Sequence, residues 1–242
     1  MNDPIWHEIR NIWDAIKGLR SIETPSKDGW IGYGATWTYA SATTFTVSGD
    51  QTAIFAKGTK IKLTQTTVKY FYVTASSYSS PNTTVAITGG SDYTLSNAAI
   101  TNPAYSYASP PDFPGWFNFG VTWTAQVTAA SLGNGTLESR FNVVQNKVTQ
   151  HIKLTAGSTT TFGTGIWRFN KPITATSLLG NGVVRMIDDS EPAATETKFA
   201  FVFHVTANLY YLRGIDGDQV DYDWPFTWAQ DDSLELSIEY EI

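Results

Sequence analysis

Hydrophobic positions follow two different periods along this chain of 242 residues. From Met1 to Thr24 the apolar residues Ile5, Ile9, Ile12, Ile16 and Leu19 are spaced 4, 3, 4 and 3 apart, which is the seam of a two-heptad amphipathic helix. Asp3 stands where an N-cap belongs, and Pro4 occupies the first helical position, where its missing N–H costs nothing. Pro25 ends the pattern, and Ser26 to Gly29 reads as a linker. Two heptads span only about 20 Å, and so short a helix is marginal alone in water. The seam therefore needs a cover, either the protein's own β domains or further copies of the helix. Isoleucine at both core positions favours three or four strands over two, and Trp6 and Trp13 widen the apolar stripe. The spacing predicts a parallel trimeric coiled coil that oligomerises the chain and anchors it to another protein.

From Trp30 onward the period becomes 2. Residues 37–39 and 44–47 alternate as short strands, and Lys60 to Thr64 turns Ile61 and Leu63 inward and its lysines outward. Residues 68–73 and 84–88 follow, each bounded by turn residues. Five short strands in this stretch predict a small antiparallel barrel or sandwich over 30–109. Asn102-Pro103 and the run from Pro110 to Gly115 read as a boundary between domains.

Beyond it the strands lengthen. Residues 140–144 and 147–154 flank Gln145-Asn146, a hairpin turn. Further strands are read at 165–169, 183–186 and 234–240. Residues 198–206 are apolar on both phases, the mark of a central strand covered on both faces. The reading for 110–242 is a jelly-roll-like β-sandwich. The whole is mainly β, with residues 1–29 as helix and linker.

Composition agrees with strands and turns. The chain is 42% hydrophobic, 14% aromatic and only 16% charged, against roughly 25% charged in ordinary domains. It holds no cysteine, which excludes disulfides and thiolate chemistry. No apolar run reaches the roughly 20 residues that cross a bilayer as a helix, and the N-terminus lacks the basic start and apolar core of a secretory signal. The net charge of −6 argues against nucleic acid as partner. Its distribution is uneven: residues 216–241 hold nine acids and no bases.

Candidate chemistry is sparse. His7, His151 and His204 are far apart, whereas an imidazole metal site needs them clustered. His151 falls on the outward phase of its strand, and His204 within an apolar one, as a hydrogen-bonded core residue. No nucleophile elbow, phosphate-binding loop or zinc-protease motif occurs. Asp216, Asp218, Asp221 and Asp223 superficially suggest a calcium loop. The loop lacks glycine at its sixth position and glutamate at its twelfth, so no metal and no cofactor is expected. Tyr222, Trp224 and Trp228, among those carboxylates, have the composition of a saccharide platform, where an aromatic face covers a sugar ring. The competing reading caps the core with the same rings.

Two stretches resemble virion appendages of tailed bacteriophages, of minor-tail, tail-fibre or head-fibre type. One runs from Thr36 to Tyr107, with the following DFPGWF. The other includes Gly163 to Phe169 leading to Pro172, then Trp224 to Trp228 and the terminal Ile238 to Glu241. The resemblance implies a trimeric virion protein, made in the host cytoplasm, with no catalytic residues, decorating head or tail or binding host-surface glycan through its C-terminal domain. The alternatives are a carbohydrate-binding module of a bacterial surface or secreted protein and, third, a glycan-degrading enzyme.

Overall fold

The computed structural model describes residues 28–177, 180–189 and 196–242. These form two antiparallel sheets. The first contains β1 (Ile31–Gly32), β2 (Trp37–Ser41), β3 (Thr44–Ser48), β4 (Lys60–Thr64), β5 (Val68–Ser79), β6 (Asn82–Thr88) and β7 (Thr101–Ser106), in the spatial order β1-β7-β4-β5-β6-β3-β2. Period-2 alternation buries Phe45 and Val47 on β3, Ile61 and Leu63 on β4, and Val85 and Ile87 on β6. Trp37 stacks on Phe45 with ring centroids 4.3 Å apart, and Phe55 meets both rings edge-on.

The second sheet contains β8 (Phe117–Asn118), β9 (Trp123–Ala125), β10 (Thr136–Val144), β11 (Lys147–Thr155), β12 (Trp167–Asn170), β13 (Gly180–Asp188), β14 (Glu196–His204), β15 (Leu209–Gly214) and β16 (Ser233–Glu241). Its order is β8-β10-β11-β16-β13-β14-β15-β12-β9. The two edge strands, β8 and β9, are joined by residues 119–122 alone, a reach of at most about 18 Å. Nine strands laid flat would hold their edges about 38 Å apart, so the sheet rolls. One interior contact confirms it. The buried Gln150 on β11 donates from Nε2 to the Asn170 carbonyl on β12, 3.2 Å away and five places along the sheet. The roll encloses a core that includes Phe117, Phe141, Trp167, Phe169, Tyr210 and Tyr240.

Glycines permit the tight curvature. A Cβ on Gly182 would lie 2.4 Å from the Val202 side chain and 3.0 Å from the Ser237 carbonyl, and one on Gly180 would lie 2.3 Å from His204. Close approach of β13 to β14 and β16 therefore requires a residue without a side chain.

β5 joins the two sheets. Phe71 and Val73 belong to the first core, whereas Tyr72 belongs to the second, with Tyr70 packed against it. The Tyr72 hydroxyl accepts the Val143 N–H at 3.2 Å. Asp112, in the connecting segment, accepts from Trp30 Nε1 at 2.7 Å, Lys62 Nζ at 2.5 Å and the Tyr70 hydroxyl at 3.1 Å. Burial alone would raise the Asp112 carboxyl, but these three donors together hold it below its usual value.

The structure corrects several expectations. The described chain is all-β: no helix occurs among the described residues, so the helix-bearing fold class is not what these residues form. The segment with Ile5, Ile9, Ile12, Ile16 and Leu19 lies outside them. The C-terminal half is not a jelly-roll sandwich but one rolled sheet, because its two edges come from adjacent strands of the chain. Asn102-Pro103 lies inside β7 rather than at a boundary. Lys60 is buried instead of outward, with Nζ 5.7 Å from the Phe113 ring centroid and 5.9 Å from that of Tyr72. β14 is interior to its sheet, yet Phe199, Phe201 and Phe203 are 54%, 50% and 40% exposed on its outer face.

Two substitutions test the roll. Phe141→Ala should cost about 3–5 kcal/mol in chemical denaturation, since Phe141 is fully buried. Gly182→Val should cost about 1–3 kcal/mol through overpacking. A valine that left the melting curve unchanged would show that β13 and β14 have room to separate.

Candidate functional site

Alternation and register place two mostly polar rows of side chains on the outer face of the large sheet. One row reads Asn118, Arg140, His151, Ser237 and Val183 across β8, β10, β11, β16 and β13. The next reads Glu138, Lys153, Glu235 and Arg185. The same strands line a groove of about 950 Å³ that includes both rows.

Trp116, the residue before β8, packs on two of the residues that line it. Its ring centroid is 4.8 Å from that of His151, at an interplanar angle of 86°. The Arg140 guanidinium carbon also lies 4.8 Å from the Trp116 ring centroid. Such stacking is worth about 0.5–1 kcal/mol at an exposed site, enough to bias the guanidinium towards one orientation. Burial, and then the charge of Arg140, push the His151 imidazole below its ordinary 6.5, so the ring is neutral at neutral pH. His151 is thus a half-buried member of a ring cluster rather than a freely solvated residue.

The second row is already internally paired. Arg185 donates to Glu235 at 2.6 Å, and Lys153 lies 3.5 Å from the other oxygen of the same carboxylate. The Arg185 hydrogen bond leads, with both positive charges, in holding the Glu235 carboxyl below its usual range. Arg140 differs. Among the described residues its guanidinium has no ion pair and no hydrogen bond, only its contact with Trp116. Its five N–H donors are thus not used by any protein acceptor among the described residues.

The residues singled out in the sequence lie elsewhere. Trp228 is 4% exposed, with ring centroid 4.8 Å from both Trp167 and Phe226, inside the second core. Trp224 is half-buried against that core. Only Tyr222 presents its ring outward, 43% exposed. The three do not form one surface, and none lines the groove. Asp216 and Asp221 turn back on their own loop: Asp216 accepts the Asp218 N–H, and Asp221 accepts the N–H groups of Asp223 and Trp224. Burial and the neighbouring Asp223 raise the Asp221 carboxyl. Among the described residues no group of three or more His, Asp or Glu side chains is placed to share a cation.

His204 is placed differently from expectation. Neither ring nitrogen has a protein hydrogen-bond partner; the ring faces Gly180 and Tyr240 at the end of the roll. Burial, and then the charge of Lys171, lower its pKa to about 4.

Sequence reasoning missed Trp116, Arg140, Lys153, Arg185 and Glu235. Alternation already marked the strand members as outward. What it lacked was the pairing that brings four strands of different sequence position into two rows.

No family model and no solved structure matches the chain. A curated protein does: the Mu-like prophage FluMu defective tail fiber protein of Haemophilus influenzae is 31% identical over 124 residues. The similarity is to a phage tail fibre. It covers 50% of this chain and 19% of the relative, so the chain spans only about a fifth of that longer protein. The resemblance to tailed-phage appendages read from the residues thus has a homologue of tail-fibre type behind it.

Two titrations follow from the histidines. By NMR, His151 should titrate below 6.5, and Arg140→Gln should move it upward by removing a nearby positive charge. His204 resists protonation in the folded state but not in the unfolded one. Its contribution is therefore present above pH 6.5 and lost as pH falls towards about 4. The melting temperature should drop across that window, and His204→Phe should flatten the drop.

Proposed function

We propose that the chain is a structural virion component of a tailed-phage tail appendage, assembled as a homotrimer, which meets host-surface glycan through the outer face of its large sheet. The observation that carries this reading is the 31% identity to a phage tail-fibre protein. The groove beside Trp116 supports the glycan part. It is open and lined by both polar and apolar side chains, and Trp116 packs on two of its lining residues, Arg140 and His151, a mixture suited to hydroxyl-rich ligands with apolar C–H faces.

A surface row supports self-association, with a second copy of this chain as the occupant. Phe199, Phe201 and Phe203 follow one another along β14. Phe201 is opposite Val183, itself 55% exposed. Phe203 stacks on Tyr211 with centroids 5.6 Å apart. Contiguous apolar strips of this kind on a protein surface mark interaction sites. Linked copies raise avidity by roughly 10² or more without a new contact, which suits weak individual sugar contacts.

Sedimentation of the full chain should give a trimer, and Phe201→Glu should shift it towards monomer while leaving the strand signature in circular dichroism intact. A monomeric wild type at micromolar concentration would remove the assembly part of this reading. Failure of the full chain to bind any purified host-surface polysaccharide would remove the glycan part.

A further inference from the structure

Within the groove one cation stands apart. Arg185 and Lys153 are both engaged by Glu235, and Glu138 is the cross-strand neighbour of Lys153. Three fixed cations thus face two carboxylates, and the excess positive charge resides on Arg140. This occurs in a segment, residues 115–242, that carries fourteen acids against eight bases. A local positive excess in a concave site of an acidic segment raises the concentration of anions there.

The geometry narrows the anion. The Arg140 guanidinium carbon lies 4.8 Å from the centroid of the Trp116 ring, and its N–H groups make no hydrogen bond among the described residues. The guanidinium fork matches the two oxygens of a planar carboxylate. Its neighbour across the strand pair, His151, is neutral at neutral pH and supplies one donor and one acceptor, a set suited to hydroxyl groups rather than to a second charge. Ser237, next in the row, adds a hydroxyl that both donates and accepts.

We propose that the groove binds a carboxylate-bearing saccharide, a uronic or nonulosonic acid unit of a surface polysaccharide, with Arg140 as the carboxylate contact and His151 and Ser237 as hydroxyl contacts. This rests on the glycan reading above and gives it a chemical class. A phosphodiester can take the same fork; the neutral imidazole and the hydroxyl beside it favour an acid carried on a sugar ring, and the phosphodiester arm of the test separates the two.

The test uses the full chain against immobilised alginate, hyaluronan and polysialic acid, each beside its carboxyl-reduced form, with bound protein read by interferometry. The wild type should bind at least one acidic polymer about 10- to 100-fold more tightly than its reduced form. Arg140→Gln should erase most of that difference between the acidic and the reduced polymer. Arg140→Lys, which keeps the charge but loses the fork, should restore less than half of the difference in binding free energy. Lys198→Gln, which removes a charge outside the groove, should change nothing, and thermal melts check that each variant is folded. Equal binding of acidic and reduced forms would overturn the carboxylate assignment while sparing the glycan reading. Tighter binding to a phosphodiester polymer such as teichoic acid would do the same. Absence of binding to every polymer, purified host-surface polysaccharide included, would overturn both.

Discussion

Strand β5 has no solvent face over its middle, and the rest of the molecule is arranged around that fact. Phe71 and Val73 point into the first core, and Tyr72 between them points into the second. Each core is then completed by its own sheet, but neither could be detached without stripping apolar surface from the same strand. The Tyr72 hydroxyl reinforces the junction by accepting the Val143 N–H at the end of β10. Asp112 adds a polar clamp from the connecting segment to Trp30, Lys62 and Tyr70. That clamp is partly exposed, so its Coulombic part is modest. Burial of β5 on both sides does most of the joining.

The same junction sets where the groove lies. β8 is held on one side by β10 and on the other by the first domain, where Asp92 accepts from both the backbone and the side chain of Asn118. Trp116 precedes β8 by a single residue, so anchoring β8 delivers its ring over β10 and β11. The roll of the sheet supplies the remainder. Because one face is wholly committed to the aromatic core, the other becomes a continuous outer surface. Register then lines up Arg140 with His151 and Ser237, and Lys153 with Glu235 and Arg185.

That outer surface is divided along its width. Towards β10 and β11 it is polar and contains the groove; towards β14 and β15 it carries the exposed phenylalanines and Tyr211. The two regions meet at Val183, which lines the groove and opposes Phe201. A contact covering the phenylalanines would therefore approach the groove without filling it. Such an arrangement lets assembly and ligand contact share one sheet while using different strands.

Most of the strands were legible because alternation reports which residues lose water. The hairpin at Gln145-Asn146, the strands at 60–64 and 68–73, and the terminal strand all follow from it. The all-β character of the described chain from Trp30 onward was legible too, as was the resemblance to phage appendages. Alternation does not say what covers the buried face, so a rolled sheet and a sandwich of two sheets have the same pattern. The choice was made by the short link between β8 and β9, whose strands are only two and three residues long and leave little period to read. The candidate site was opaque for a related reason. Tyr222, Trp224 and Trp228 sit among carboxylates and read as a platform, yet Trp228 fills the core beside Trp167, a contact across 61 residues of chain. Arg140 and His151 read as two unrelated surface residues until β10 and β11 paired. Sequence alone determined which side chains avoid water and which do not. Only the tertiary structure decided which of them meet, because register and the closure of a rolled sheet are set by contacts between distant strands.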